Sequence, residues 1–302
     1  MWLQRASDIV RRIRAGDIDV GFVGYDMVYE YGEGDDDIVV VHDALGYGHC
    51  HLALAVPTEG RWADVSSLAD LVAMPDWTPA TPLKVVTGYT HIARDWFAKV
   101  GFDNYELCSA DGALEAAPKM GYADIILDLV STGTTLRENN LKEIADARMV
   151  ESQGCLVASR KALRAHPGLL AVVRELVERL EANLKAKGYY TVTVNVRGSS
   201  ADEVARLLTA SPALSGLAGP TVSPVYAPGA TQPDTWACVV SVPKKDLYRA
   251  VKELRALGGS GVLVSPMTYI FDEEPARWRA LLDTLGVDAK DVPELLDPRT
   301  LQ

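Results

Sequence analysis

The sequence is poor in cysteine, in basic charge and in long apolar runs, and each shortage excludes a class of protein. Its four cysteines are far apart and form no C-x-x-C pair, which predicts reduced thiols in a cytosol-like compartment. Lysine and arginine number 30 against 41 aspartates and glutamates, and the net charge of −11 disfavours a nucleic-acid binder. No apolar run reaches the roughly 18 residues of a membrane span, and the N-terminus lacks the apolar stretch of a secretory signal.

The middle of the chain alternates apolar strands with helical patterns, which predicts an α/β fold. A strand at 83–86 precedes a helix that Thr90 is expected to cap, and a second strand, 123–130, precedes a helix-like stretch from Leu136 to Ile144. A short helix is also predicted over 111–120. Mostly apolar strands are typical of a parallel sheet that is buried on both faces. Because ligands bind at the carboxyl ends of such strands, the residues that follow them are the first candidates for a site.

The C-terminal third has a different pattern. A long helix begins at Pro167, and from residue 189 the order of predicted elements is βαββαβ, the split ferredoxin-like unit. This arrangement is common in small regulatory domains, although a fold alone establishes no function. Residues 288–302 are predicted to be a polar tail.

The strongest candidate for chemistry is the segment from Asp128 to Thr135, with the sequence DLVSTGTT. A buried strand brings Asp128 to its carboxyl end, and a short loop then leads into a helix N-terminus, where unpaired N–H groups favour an anion. The hydroxyls are those of Ser131, Thr132, Thr134 and Thr135, and Gly133 lets the backbone curl. This pattern suits a phosphate with a sugar attached. The simpler interpretation is a helix cap with small loop residues.

Other candidates are weaker. His49 and His51 would point the same way on a strand, but half-buried strand histidines are a better interpretation than a zinc site. Glu115 could face the same crevice as Asp128 or lie on a helix surface, and Arg137 and Lys142 could supply cations for phosphates or be ordinary exposed residues. No Walker A loop, G-x-G-x-x-G motif or nucleophile elbow is present.

The stretch from Gly112 to Leu141, GALEAAPKMGYADIILDLVSTGTTLRENNL, resembles the signature of the ATP phosphoribosyltransferases nearly residue for residue. Further matches are GDIDVGFVG at Gly16–Gly24, YGHCHLALAVP at Tyr47–Pro57, and GGSGVLVS at Gly258–Ser265, within the extra C-terminal domain of the family's long form. The resemblance extends over residues 1 to about 286 and is strongest to the plant-like branch.

The resemblance implies a two-lobed fold like the type II periplasmic-binding proteins, followed by the ferredoxin-like domain. It implies transfer of phosphoribosyl from phosphoribosyl pyrophosphate to N1 of ATP, with Mg²⁺ and release of pyrophosphate, as the first step of histidine biosynthesis. Asp128 would hold the ribose hydroxyls as the catalytic carboxylate, and Ser131, Thr132, Gly133, Thr134 and Thr135 the 5′-phosphate. In the other lobe, three residues are expected to line the crevice: Asp19, Gly24 and Asp26.

The resemblance also implies feedback inhibition by histidine, bound in a pocket between the C-terminal domains of neighbouring subunits. Three residues match positions of that pocket: Thr221, Gly261 and, less closely, Ser241. They could equally be ordinary turn and strand-end residues. Such feedback requires two assembly states, so a homo-hexamer with an active dimer form is expected.

The expected domain organisation follows from the same resemblance. Lobe one comprises 1–82 and 146–188, lobe two comprises 83–145, and the regulatory domain comprises 189–287, with hinges near 80–83 and 146–152. The family begins with a strand, a Lys/Gly/Arg-containing loop and a helix that do not precede Met1 here, which predicts an N-terminally incomplete first lobe.

Three function classes remain at this stage. The first is the enzyme, in the cytoplasm or, for a plant-like protein, in the plastid stroma. The second is a catalytically inactive, histidine-binding regulatory subunit or a fragment of the enzyme. The third is a two-lobed solute-binding protein, which the missing signal and the hydroxyl-rich loop disfavour.

Overall fold

The computed structural model describes residues 3–110, 112, 114–229, 231–288 and 290. It contains two compact units, residues 1–173 with 280–302, and residues 174–279. The predicted tail lies almost wholly outside the described residues, as do Asp111 and Ala113. Within the described residues, no helix is both long enough and apolar enough to span a bilayer.

The helices have the following bounds: α1 Ala6–Ala15, α2 Tyr25–Gly32, α3 Leu68–Val72, α4 Thr90–Val100, α5 Thr134–Glu138, α6 Arg160–Ala165, α7 Pro167–Ala186, α8 Ala201–Thr209, α9 Leu247–Ala256 and α10 Ala276–Leu285. The strands have the following bounds: β1 Val20–Gly24, β2 Ile38–His42, β3 Cys50–Pro57, β4 Leu83–Thr87, β5 Tyr105–Ser109, β6 Ile125–Val130, β7 Leu141–Ser152, β8 Gly154–Ser159, β9 Tyr189–Arg197, β10 Thr221–Val225, β11 Thr235–Pro243 and β12 Ser260–Pro266.

A three-stranded sheet with the order β1-β8-β2 forms the first lobe. The strands pair antiparallel, and β1 pairs with β8 on one side only. Helix α1 buries Val10 and Ile13 in a core with Val23 and Val157, which fixes β1 and therefore the start of α2. The first lobe thus presents the N-terminus of α2 at the end of a buried strand.

A five-stranded sheet with the order β5-β4-β6-β3-β7 forms the second lobe. Strand β4 is parallel to β5 and β6, whereas β3 is antiparallel to β6 and β7, so the sheet is mixed. Leu127 belongs to the core on one face of β6, and Ile126 to the core on the other. This confirms the prediction that the strand ending near Asp128 is buried on both faces.

Two predicted helices of this lobe are wrong. The stretch from Leu136 to Ile144 divides between the one-turn helix α5 and strand β7, because Asn140 adopts a left-handed conformation (φ 55°) and the chain then pairs with β3. In 111–120 the described residues form only the 3₁₀ turn Leu114–Ala116.

The chain passes between the two sheets at two points, of which one lies at the end of the expected hinge 146–152 and the other differs from the expected 80–83. Strand β3 pairs with β6 and β7, so Cys50–Pro57 belongs to the second sheet and not, as predicted, to the lobe ending at residue 82. The crossings therefore lie between β2 and β3 and between β7 and β8, and they are adjacent because Cys50 pairs with Ser152. The stretch 80–83, predicted as a hinge, leads into a strand within the second lobe.

The second unit contains the predicted βαββαβ arrangement, built of β9, α8, β10, β11, α9 and β12. Its sheet has the order β10-β11-β9-β12 with antiparallel pairing throughout. Val192, Val194 and Val240 are buried with residues of α8 and α9, including Val204 and Leu254, in one core. The architecture is therefore α/β with a two-lobed region and a ferredoxin-like domain.

Candidate functional site

The loop after β6 forms a compact hydroxyl-rich cradle. The Thr132 and Thr134 hydroxyls lie 3.0 Å apart, and the Ser131 hydroxyl donates to the His49 carbonyl (3.2 Å). Gly133 has φ 69°, a left-handed conformation that favours glycine, and it precedes α5 directly. The loop conformation therefore depends on this glycine and on hydrogen bonds among its own side chains.

Arg137 folds back from α5 onto this loop. Its guanidinium donates to the Thr132 carbonyl (3.2 Å) and the Thr134 hydroxyl (3.1 Å), and a Cβ at Gly133 would lie 3.1 Å from Nη1. The loop borders a cavity of about 480 Å³ that is also lined by Lys142 and Arg148. Glu143 lines the same cavity and pairs with Arg148, so Arg137 and Lys142 are the cations that suit a phosphorylated ligand.

Asp128 is half-buried at the end of β6. Its Oδ1 accepts a hydrogen bond from the Leu129 N–H (2.7 Å). Burial raises the pKa of Asp128, and the nearby charge of Glu115 raises it further. The charge of Glu115 thus acts on Asp128, and the expectation that both face one crevice stays a prediction.

The first lobe contributes Asp26, which is buried at the start of α2. Ser152 donates to its Oδ1 (2.6 Å) and Tyr89 to its Oδ2 (3.0 Å), while the Asp26 N–H donates to the Ser152 hydroxyl (3.0 Å). A Cβ on Gly24 would come within 2.3 Å of Asp26 Oδ1, so only glycine leaves room for this carboxylate. Gly24 and Asp26 are therefore parts of one arrangement.

Tyr89 connects the carboxylates of the two lobes. Burial raises its pKa, and the charges of Asp26 and Asp128 both raise it further. Tyr89 follows β4 of the second sheet, whereas Asp26 opens a helix of the first lobe. The phenol of Tyr89 in the second lobe thus bonds the Asp26 carboxylate of the first lobe.

Asp19 does not lie with these residues. It is exposed before the opposite end of β1 from Gly24, and its carbonyl accepts a hydrogen bond from the Ser159 N–H (2.8 Å). It lines a separate cavity of about 290 Å³ beside α1 and α6. The structure therefore does not support the expectation that Asp19 lines the crevice, because β1 separates it from Gly24.

His49 and His51 have separate surroundings, and the expectation of two half-buried strand histidines is wrong for His49, which precedes β3. His51 contacts the Glu143 carboxylate (Nε2 to Oε1, 2.9 Å), and Arg148 donates to the same oxygen (2.8 Å), while His49 is exposed. In the part of the chain that the structure describes, no group of three or more His, Cys, Asp or Glu side chains could hold a metal ion.

Of the three residues expected to bind histidine, Thr221 and Gly261 lie on opposite edges of one sheet. Thr221 begins β10 at one edge, Gly261 lies in β12 at the other edge, and Ser241 is on β11 between them. Within one chain they do not form a pocket. A pocket containing both Thr221 and Gly261 requires the edges of two chains to meet.

Tyr89, Ser152 and Glu30 were missed by the sequence reasoning. Tyr89 could have been found, because it follows the strand Leu83–Thr87 at its carboxyl end. Ser152 and Glu30 carried no such signal, because both act through contacts between the lobes. Ser152 donates to Asp26, and the Glu30 carboxylate accepts from N–H groups at the start of α4.

Comparison with known proteins identifies relatives over nearly the whole chain. The family model for ATP phosphoribosyltransferase matches residues 5–182, and that for its C-terminal domain matches 186–269. ATP phosphoribosyltransferase 2, chloroplastic, from Arabidopsis thaliana is 53% identical over 95% of this chain and 70% of its own length. The protein named ATP phosphoribosyltransferase 1, chloroplastic, of the same plant is 52% identical over the same shares.

More distant relatives bear the same name. The ATP phosphoribosyltransferase of Bradyrhizobium sp. is 31% identical over 89% of this chain and 79% of its own length. The solved ATP phosphoribosyl transferase (HisG:HisZ) complex from Thermotoga maritima superposes over 60% of this chain and 77% of that chain, with 21% identity and a TM-score of 0.47, too weak to bear on the fold.

Proposed function

The chain belongs to the ATP phosphoribosyltransferase family, and from this we propose that it transfers phosphoribosyl from phosphoribosyl pyrophosphate to N1 of ATP, the first step of histidine biosynthesis. The observation that carries the proposal is the loop Ser131–Thr135 joined to Asp128 at a crevice between two lobes. Family membership favours this function over a catalytically inactive regulatory subunit.

In this proposal the loop binds the 5′-phosphate of phosphoribosyl pyrophosphate. Its hydroxyls and N–H groups donate to phosphate oxygens, and Arg137 and Lys142 offset the phosphate charge. Asp128 accepts from the ribose hydroxyls, which would stabilise a carboxylate whose pKa burial raises. The reaction needs no covalent intermediate, so the protein acts by alignment and by stabilising charge.

Mg²⁺ enters the proposal with the pyrophosphate group. Magnesium in phosphate sites is held by one or two carboxylates together with substrate oxygens. Asp128 is a half-buried carboxylate at the end of β6 whose Oδ1 accepts from the Leu129 N–H, and its oxygens are the hard donors that such a cation takes together with phosphate oxygens. When bound, the ion would neutralise charge on the departing pyrophosphate.

We extend the proposal to regulation and location. The C-terminal domain would bind L-histidine where Thr221 of one subunit meets Gly261 of its neighbour, in a homo-oligomer that interconverts between dimer and hexamer. The expected compartment was the cytoplasm or the plastid stroma, and the chloroplastic names of the two Arabidopsis relatives support the plastid.

One assay tests the reaction. The purified chain is mixed with ATP, phosphoribosyl pyrophosphate and Mg²⁺, and phosphoribosyl-ATP is followed with and without histidine. We expect product, less of it with histidine, and weaker phosphoribosyl pyrophosphate binding in Asp128→Ala and Thr132→Ala with histidine binding unchanged. Thr209→Ala, in the second unit, is the control. Histidine binding without product would favour the regulatory subunit instead.

A further inference from the structure

Glu30 is a buried carboxylate in the first lobe whose donors all belong to the second lobe. It is 4% exposed and lies on α2. Its oxygens accept hydrogen bonds from the His91 N–H (3.0 and 3.1 Å) and the Ile92 N–H (3.0 Å), and the Thr90 hydroxyl lies 3.4 Å away. Burying a carboxylate is unfavourable unless such bonds are made, so this contact is specific.

These contacts replace a cap that α4 lacks. Thr90 was expected to cap the helix, but the residue at the N-cap position is Tyr89, and its side chain makes no hydrogen bond to the helix. The first N–H groups of any helix have no partner within it, and a carboxylate there is favourable. Glu30 supplies that carboxylate from the other lobe.

The same arrangement directs Tyr89. The side chain of Tyr89, which directly precedes the capped turn, donates to Asp26 Oδ2 (3.0 Å). Asp26 and Glu30 are four residues apart on α2 and therefore lie on one face of it. Helix α2 thus contacts the phenol of Tyr89 and the first turn of α4 directly after it.

We propose that Glu30 is a positioning residue for the transfer reaction: by capping α4 across the crevice it holds the phenol of Tyr89 on Asp26. This inference rests on the proposed function. Glu30 itself does not touch substrate, and its effect on the reaction passes through Tyr89.

A double-mutant cycle tests the proposal. Because small displacements in an active site lower rates strongly, Glu30→Ala should lower kcat about 10- to 100-fold. Glu30→Gln keeps an acceptor oxygen for the two N–H groups, so its kcat should fall less than about 10-fold. In a Tyr89→Phe background, each change at Glu30 should lower kcat less than about twofold relative to Tyr89→Phe alone, because the effects of coupled residues are not additive.

Amide hydrogen exchange supplies a readout that does not depend on turnover. The His91 and Ile92 amides should lose protection in Glu30→Ala and retain most of it in Glu30→Gln. Asp95→Asn is the matched control: this exposed α4 carboxylate lies 3.7 Å from the His91 side chain and makes no bond to the helix N–H groups, so activity and protection should stay at the wild-type level.

The outcomes separate the two claims. Wild-type chain that makes no product contradicts the proposed function and with it the premise of the inference. Active wild-type chain with additive losses in the cycle, or with unchanged kcat in Glu30→Ala, overturns the positioning role alone. If Glu30→Ala does not fold, the cycle with Glu30→Gln decides.

Discussion

Three carboxylates around the crevice differ in how their charge is stabilised. Asp26 accepts from two hydroxyls, Glu30 accepts from two backbone N–H groups, and Asp128 accepts only from the N–H of the next residue. Asp128 is also the one beside another acid, Glu115. At the residue scale, Asp128 is therefore the carboxylate best suited to gain from a bound sugar or cation.

The raised pKa of Asp128 predicts a pH-dependent stability effect of Asp128→Asn. Below the unfolded value of 3.8, the carboxyl is protonated in both states and contributes no penalty. As the pH rises through the folded pKa, the folded state must hold an unfavourable charge, and stability is lost. We therefore expect Asp128→Asn to raise Tm at pH 7 and to lower transferase activity.

Thermal melts from pH 7 down to about pH 4 would measure this, and the gain in Tm should shrink as the pH falls. Asp103→Asn, at an exposed position, serves as the control and should change Tm little. A gain of the same size at every pH would show that removal of charge is not its cause.

Gly133→Ala tests the loop conformation. Alanine at φ 69° is strained by roughly 1 kcal/mol, and its Cβ would press on the Arg137 guanidinium. We expect phosphoribosyl pyrophosphate affinity, measured by calorimetry, to fall about 10-fold, the equivalent of about 1.4 kcal/mol.

Gly60→Ala is the matched control, because Gly60 also has positive φ (65°) but a Cβ there would meet no atom within 4 Å. It should lose similar stability and no affinity. Equal losses of affinity in both variants would mean that general destabilisation, not loop shape, is responsible.

At the element scale, the sequence predicted the strand–loop–helix order well where the pattern is local. Strand β6 and the loop after it follow from an apolar run and a hydroxyl-rich segment. The failure at Leu136–Ile144 has a non-local cause, since β7 exists because it pairs with β3, some ninety residues earlier. The prediction that Thr90 caps α4 failed for the same reason, because the capping carboxylate, Glu30, belongs to the other lobe.

Within the site, the partners of Asp26 could not be predicted from the sequence either. Family resemblance placed Asp26 near the crevice, but no spacing in the sequence links it to Ser152, with which it shares two hydrogen bonds. Asp19 shows the reverse error, because a position close to Gly24 in sequence lies at the opposite end of the same strand.

The contacts of Arg137 with the loop before α5 predict that lysine cannot replace it. One guanidinium bonds both the Thr132 carbonyl and the Thr134 hydroxyl, a forked geometry that an ammonium does not reproduce. Arg137→Lys should weaken phosphoribosyl pyrophosphate binding about 5- to 10-fold, about 1 to 1.4 kcal/mol. Arg94→Lys, on exposed α4 surface, is the control.

Equilibrium binding at two salt concentrations would separate charge from geometry. A variant that binds as tightly as wild type at low and high salt would show that Arg137 acts only as a positive charge.

At the scale of the whole molecule, the chain has a net charge of −11. Basic side chains offset this charge locally, at the site where anionic substrates are expected. Arg137, Lys142 and Arg148 line one cavity, so the acidic surface elsewhere does not prevent phosphate binding there. The sheet of the second unit sets a second whole-molecule constraint, because its strand order separates Thr221 from Gly261.

This separation predicts that histidine binding requires two chains. A Cβ at Gly261 would meet no atom of its own chain within 4 Å, and the strain of a side chain at φ 63° is local, roughly 1 kcal/mol, so the bulk of an arginine there would act on a neighbouring chain, as would one at exposed Thr221. Thr221→Arg and Gly261→Arg should each abolish histidine binding in homo-oligomers. Co-expressed with different tags and purified through both, the mixed oligomers should recover part of it by calorimetry, because some interfaces then pair two intact edges. Two differently tagged Thr221→Arg chains form the matched control and should recover none, and a mixed oligomer that also recovered none would place the histidine pocket elsewhere.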